Sequence, residues 1–140
     1  MIQTVPQEKL REWLCERIVY PYSDNMICIG NRIAGQLKGV VGYDHYNGAS
    51  IMMHVAGDKG WLTKQFLRVI FDYPFNVCKV NMVIGLTPAS NLLAVRFNRH
   101  IGLTVRATLE DAGPGGDLLV MAMSRKECKY LVPSLMEKSC

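Results

Sequence analysis

Asn91-Leu92-Leu93-Ala94-Val95-Arg96-Phe97-Asn98-Arg99-His100-Ile101-Gly102-Leu103 is the most informative stretch of this 140-residue chain. Ser90 or Asn91 offers the short polar side chain that caps a helix N-terminus. Gly102 suits the position just past a helix C-terminus, so the spacing predicts a helix ending near His100. Before it, Lys79 to Leu86 is rich in β-branched and apolar residues and reads as a strand, joined to the helix by Thr87-Pro88-Ala89-Ser90. After it, two strands near Thr104 to Leu109 and Leu118 to Met123 flank a turn at Gly113-Pro114-Gly115-Gly116. A short helix near Lys126 to Leu131 closes the domain, and the chain from Pro133 reads as a loose tail.

Working back toward the N-terminus, Trp61 to Tyr73 reads as an amphipathic helix. Leu62, Phe66, Val69, Ile70 and Tyr73 share one face, Lys64, Arg68 and Asp72 face away, and Pro74 stops it. Three strands precede it: Met26 to Ile29, Ile33 to Tyr43 and Ala49 to Val55. Gly30-Asn31 is a turn signal between the first two, and Asn47-Gly48 is a two-residue hairpin signal between the last two. Gly35, Gly39 and Gly42 interrupt the middle strand and mark bulges or close approaches. Pro6 to Ile18 reads as the first helix, with Leu10, Trp13, Leu14 and Ile18 on one face and Pro6 in the first turn. Tyr20 to Asn25 breaks its pattern. The order is helix, three antiparallel strands, helix, strand, helix, two strands. That predicts a single α/β domain with a mixed, mostly antiparallel central sheet and helices on both faces.

Composition narrows the function classes. Hydrophobic residues make up 49% and charged ones 20%, which is globular usage. No apolar run approaches the roughly 20 residues of a membrane helix, and the first residues lack a secretory signal. The five cysteines are widely spaced, with no Cys-x-x-Cys pair and no zinc spacing, so free thiols in a cytoplasmic protein without a metal are expected. The net charge of +4 is mild and its basic residues scattered. That makes nucleic acid an unfavoured partner and suits an anionic cofactor equally well.

Within the opening stretch, Asn91, Ala94, Phe97, Ile101 and Gly102 resemble the GNAT acyltransferase family, with Leu103 where members usually have Phe. Downstream, Arg106, Gly116, Asp117 and Leu118 resemble its ribosomal-protein N-acetyltransferase branch. The resemblance covers Ile27 to about Leu131 by element order and is specific from Thr87 to Asp117. It implies an acetyl-coenzyme A co-substrate lying between the third strand and the strand from Lys79 to Leu86. An amine acceptor, of a small molecule or a protein, would enter from the opposite side. The family's first strand is expected to be missing or replaced by the helix at Pro6. A homodimer is compatible with the sequence, which is silent on the acceptor and the oligomeric state.

The family's pyrophosphate loop corresponds to Gly57-Asp58-Lys59-Gly60-Trp61-Leu62. Gly60 matches its pattern and the first and last positions do not. Backbone N–H groups at a helix N-terminus attract a phosphate whatever the side chains, and Lys59 and Lys64 add positive charge where Asp58 subtracts it. Cofactor contacts are expected from Val55, Lys59, Gly60, Trp61, Leu62 and Asn91. His54 shares a strand face with Ser50 and Met52 and is the leading candidate for the base that deprotonates the amine. Asp117, Glu110, Asp44 and His45 are further base candidates. Many members protonate the leaving thiolate with a tyrosine one residue after the Phe97 position, but here that residue is Asn98, which cannot do so. Ser90, a water, or no acid at all would serve.

Two rival readings accompany acetyl transfer. The incomplete loop and the missing tyrosine suit a catalytically silent domain that binds a protein. The basic charge alone suits modification of a nucleobase or a DNA-bound protein. Gly30 to Gly35 has P-loop glycine spacing, but Gln36 stands where lysine is required.

Overall fold

The computed structural model describes residues 1–18 and 20–131. The elements are β1 Ile2–Gln3, α1 Gln7–Arg17, β2 Ile27–Ile33, β3 Gln36–Asp44, β4 Ser50–Gly57, α2 Lys64–Asp72, β5 Met82–Pro88, α3 Leu92–His100, β6 Thr104–Gly113 and β7 Gly116–Ser124. They build one seven-stranded sheet in the order β1-β2-β3-β4-β5-β7-β6. Every neighbouring pair is antiparallel except β4 and β5. The family's first strand, expected to be missing, is present as the two residues of β1, paired to β2 ahead of α1.

Strand alternation places two cores on the two faces. On one face α1 lays Leu10 and Leu14 against Met26, Cys28 and Val40. On the other, Val41, Tyr43, Ile51 and Met53 meet Phe66 and Ile70 of α2, and Phe97 of α3 packs against the same cluster. Trp61 joins α2 to α3 there, its ring centroid 5.8 Å from that of Phe66 and 5.7 Å from that of Phe97. A Cβ at Gly39 or Gly57 would fall inside the indole, so these two glycines let the ring lie flat on the sheet.

Several expected boundaries are corrected. Gly30-Asn31 is not a turn but lies within β2. A Cβ at Gly30 would come within 2.8 Å of Leu37 Cδ1 and 2.9 Å of Leu10 Cδ2, so this glycine admits α1. The turn is Ala34-Gly35, both with positive φ, as a two-residue hairpin requires. The Asn47-Gly48 signal is a turn in a wider loop, where Asn47 Oδ1 accepts from the amides of Ala49 and Ser50. Trp61 and Leu62 precede α2, which is capped by Thr63 Oγ1 accepting from Phe66 N at 3.1 Å. Pro74 does not end the coil outright: a π-helical turn, Tyr73–Val77, follows α2. The closing helix is only the 3₁₀ turn Arg125–Glu127. The expected tail from Pro133 lies outside the described residues.

The sheet opens in the middle. β4 and β5 pair in parallel at Ser50↔Met82, Ile51↔Val83 and Met52↔Ile84, and then pairing stops although β4 runs on to Gly57 and β5 to Pro88. The wedge widens toward the N-termini of α2 and α3. Backbone groups of β4 beyond Met52 on this side are without a ladder partner and stand open to water or a ligand, since the strand is half-buried from His54 and exposed at Gly57.

Candidate functional site

His54 is the second residue of β4 past the end of β4–β5 pairing. Its neighbours Met53 and Val55 belong to the α2-side core, so His54 points to the α1 side together with Ser50 and Met52, as the alternation predicts. Its side chain is 14% exposed, and Nε2 lies 2.8 Å from Asp44 Oδ1. Asp44 ends β3 and its side chain is 6% exposed. His45 Nδ1 approaches the same oxygen at 3.0 Å. Tyr20, in the loop between α1 and β2, donates its hydroxyl to the other carboxylate oxygen and stacks obliquely on His54, ring centroids 4.2 Å apart.

Burial alone would push the Asp44 carboxyl up, but the hydrogen bonds from Tyr20, His45 and His54 outweigh it and hold it below its ordinary value. Asp44 is therefore an ionised acceptor. Burial first, and then the bond to Asp44, push the Tyr20 phenol well up, so it stays a protonated donor. An ionised carboxylate has only lone pairs to offer, so the proton of His54 sits on Nε2. Nδ1 then carries the lone pair, and it has no partner among the described residues. A histidine oriented by a buried carboxylate, with its second nitrogen open, is the arrangement of a general base.

The other expected base and acid residues lie elsewhere. Asp117 Oδ1 accepts from Asp111 N at 3.2 Å within the β6–β7 hairpin. Ser90 Oγ donates to Pro114 O at 3.0 Å and ties the β5–α3 loop to the same hairpin. Glu110 is exposed on β6. Asn98 is buried and donates to Thr87 Oγ1 at 2.9 Å, stitching α3 to β5. Arg106 bonds Thr104 and pairs with Glu127 on the surface.

At the mouth of the wedge, Gly60 has φ +85° at the third position of the turn Asp58–Trp61, and open space surrounds the place of its Cβ. Trp61 N is consumed in that turn, donating to Asp58 O at 3.1 Å. Trp61 O accepts from Asn31 Nδ2 at 2.8 Å, and its ring is buried. Trp61 is thus a wall of the wedge, and its amide is not a free donor. The amides of Gly60, Leu62, Lys64 and Gln65 have no protein acceptor among the described residues, and Lys59 and Lys64 form no ion pair there. Val55 lines the β4 edge. Asn91 caps α3, its Oδ1 accepting from Ala94 N at 3.2 Å, so that amide is already satisfied.

The sequence reading placed His54 and counted Asp44 and His45 among several carboxylates and histidines, but it did not join them. It missed Tyr20, treated only as part of a break after α1. An aromatic residue next to Pro21 in an otherwise polar break is a weak sign of a loop that folds back on the domain.

Among the described residues no helix is long and apolar enough to cross a membrane. No family model matches the chain, and no curated protein matches it in sequence. Solved structures do match. A chimera of the spermidine N-acetyltransferase SpeG from Vibrio cholerae and hSSAT superposes with a TM-score of 0.70 at 14% identity, over 93% of this chain and 97% of that one. A mutant form of the Vibrio cholerae spermidine/spermine N-acetyltransferase SpeG gives 0.67 at 14% identity, over 90% and 95%. The Campylobacter jejuni N-acetyltransferase PseH, solved in complex with acetyl coenzyme A, gives 0.58 at 16% identity, over 74% and 70%. At such identities the likeness shows the fold: this chain has the fold of these N-acetyltransferases.

Proposed function

We propose that the protein is an N-acetyltransferase that moves the acetyl group of acetyl-coenzyme A onto a primary amine. The observation that carries this reading is the coincidence of two features. The β4–β5 wedge opens after Met52↔Ile84, and the Asp44-oriented His54 stands two residues beyond that point.

The residues present fit the co-substrate. The wedge exposes unpaired β4 backbone along which a pantetheine amide chain can hydrogen-bond, and the free amides at the start of α2, with Lys59, Gly60 and Lys64, suit a diphosphate. On the α1 side, His54 Nδ1 accepts a proton from the acceptor ammonium and leaves a neutral amine free to attack the thioester carbon. Asp44 stabilises the imidazolium that results. Unpaired β4 amides beside His54 donate to the oxygen on which negative charge develops. The sulfur leaves as a thiolate and takes up the proton that the attacking nitrogen sheds as the amide forms. The position of the family's tyrosine acid is held by Asn98, which is engaged with Thr87 and has no proton to give.

The test is thiol release from acetyl-coenzyme A against a panel of amines, peptides and nucleosides, alongside a coenzyme A binding titration. Turnover with an amine supports the reading. Binding without turnover on any acceptor would sink it and leave a silent domain of the same fold. A nucleoside acceptor would move the activity to another substrate class.

A further inference from the structure

Two adjoining cavities of about 570 and 410 Å³ meet at Asn25, Asp44 and His45, at the end of the sheet where β3 stops and β4 begins; the larger reaches the α2 side at Tyr43, Ile51 and Tyr73, and the smaller is walled by the loop from Tyr20 to Ser23. Their volumes are of the size that encloses a small molecule. Five of the six tyrosines in the chain line them: Tyr20, Tyr22, Tyr43, Tyr46 and Tyr73. Three of the phenol hydroxyls are already spent, on Asp44, on Ile70 O and on Cys78 O. Tyr43 is itself buried in the core, so what the rings of Tyr20 and Tyr46 have left to offer is chiefly their surface. Among the described residues no lysine or arginine lines either cavity, although the protein carries a net charge of +4. The one permanently charged group that the described residues give these walls is Asp44.

From this we infer that the two cavities bind the acceptor and that the acceptor is a monoamine with an apolar or aromatic body. The ammonium is drawn to Asp44 and to the electron-rich ring faces around it. The body lies against the tyrosines and Ile51. An acceptor carrying a carboxylate or phosphate would face Asp44 with no cation to offset it. A polyamine would bring further ammonium groups into walls that hold no second carboxylate among the described residues. The cavities adjoin the base without including it: His54 lines neither, and Asp44, which both cavities share, is the carboxylate that orients it.

The word acceptor rests on the acetyl-transfer reading, whereas the binding itself does not, and the experiment keeps the two apart. Titration calorimetry on the full chain compares 2-phenylethylamine, spermidine and 3-phenylpropionate. The monoamine is expected to bind at least about tenfold more tightly than spermidine, and the acid not at all, as a lone carboxylate with aromatic walls dictates. Tyr46→Ala should weaken the monoamine by about threefold to thirtyfold, the usual worth of one cation–π face, and Tyr46→Phe should restore it. Asp44→Asn should abolish the preference for the amine over the acid. If that variant does not fold, the ligand series and the Tyr46 pair still decide, because Tyr46 is largely exposed and its removal leaves the core intact. Spermidine binding as tightly as the monoamine, measurable binding of the acid, or a Tyr46→Phe no better than Tyr46→Ala would overturn the inference. Acetyl transfer to other amines with no binding of 2-phenylethylamine would overturn it and leave the transferase standing. The expected binding pattern without any acetyl transfer would uphold the cavity and remove the transferase.

Discussion

The two faces of the sheet solve different problems. The α2/α3 face is a continuous apolar core in which Trp61, Phe66 and Phe97 lock two helices together at the mouth of the wedge. The α1 face has a smaller apolar patch, and beyond it lies a polar cluster, Tyr20, Asp44, His45 and His54, tied by hydrogen bonds that all end on one carboxylate. On the proposed reading the first face holds the wedge in shape and the second supplies the chemistry beside it. The contrast teaches where each kind of damage should appear: on stability for the first face, and on rate and pH dependence for the second.

The sharpest way to break the comparison is at Trp61. Removing a buried tryptophan that bridges two helices should cost about 3–5 kcal/mol, read as a lower urea midpoint. Coenzyme A affinity should fall with it, because the wedge loses a wall. A Trp61→Ala variant of unchanged stability would show that α2 and α3 are held by other contacts. His54→Gln is next and of opposite character. It should leave the urea midpoint close to wild type while cutting thiol release by roughly 100-fold or more, the usual worth of one general base. An equally active His54→Gln would discard the base and keep the fold.

Asp44 sharpens the comparison through pH. Its folded pKa lies below the unfolded value near 3.8. A carboxyl of this kind stabilises the fold above that value, and the contribution is lost as pH falls through the folded pKa. Wild type should therefore lose stability on acidification below the ordinary carboxylate range, and Asp44→Asn should lack that component. Thermal unfolding of both proteins between pH 7 and the acid limit of folding, values set by the ordinary carboxylate range, measures it. Parallel curves would mean that the three donors do not favour the ionised form.

How much of this was legible beforehand follows from what periodicity can see. The α3 segment was read with its cap and its C-terminal glycine, because both are local signals: Asn91 bonds Ala94, and Gly102 has φ +107°. That His54 shares a face with Ser50 and Met52 was legible from alternation, but that this face lies on the α1 side was not. Trp61 was misread as helical because an apolar residue in phase with Phe66 looks the same whether it lies in the helix or folds back before it. Gly30 was misread as a turn because a glycine that admits a neighbouring helix has the same sequence as one that bends a chain. The polar cluster was the least legible. Asp44 and His54 meet diagonally across a register, Gly42↔His54 and Asp44↔Met52, that a five-residue loop sets, and Tyr20 arrives from a different loop. No local pattern encodes three such separations at once.

The smallest effect is at Asn91, and it separates a cap from a ligand. Its Oδ1 is held by Ala94 N, and its own N–H donates to Pro88 O at 3.0 Å, which leaves Nδ2 as its free donor. Loss of the cap should cost about 1 kcal/mol. Asn91 stands at the α3 end of the wedge, where the side-chain amide can reach a cofactor carbonyl without giving up the cap, because different atoms serve the two roles. Asn91→Asp keeps an acceptor for Ala94 N and removes the donor, whereas Asn91→Ala removes both. If Nδ2 contacts the cofactor, Asn91→Asp should retain stability and still lose affinity for coenzyme A, all the more because a carboxylate would face an anionic ligand. If Asn91 is only a cap, Asn91→Ala should differ from wild type in stability alone and keep its affinity for coenzyme A, and Asn91→Asp should keep its stability.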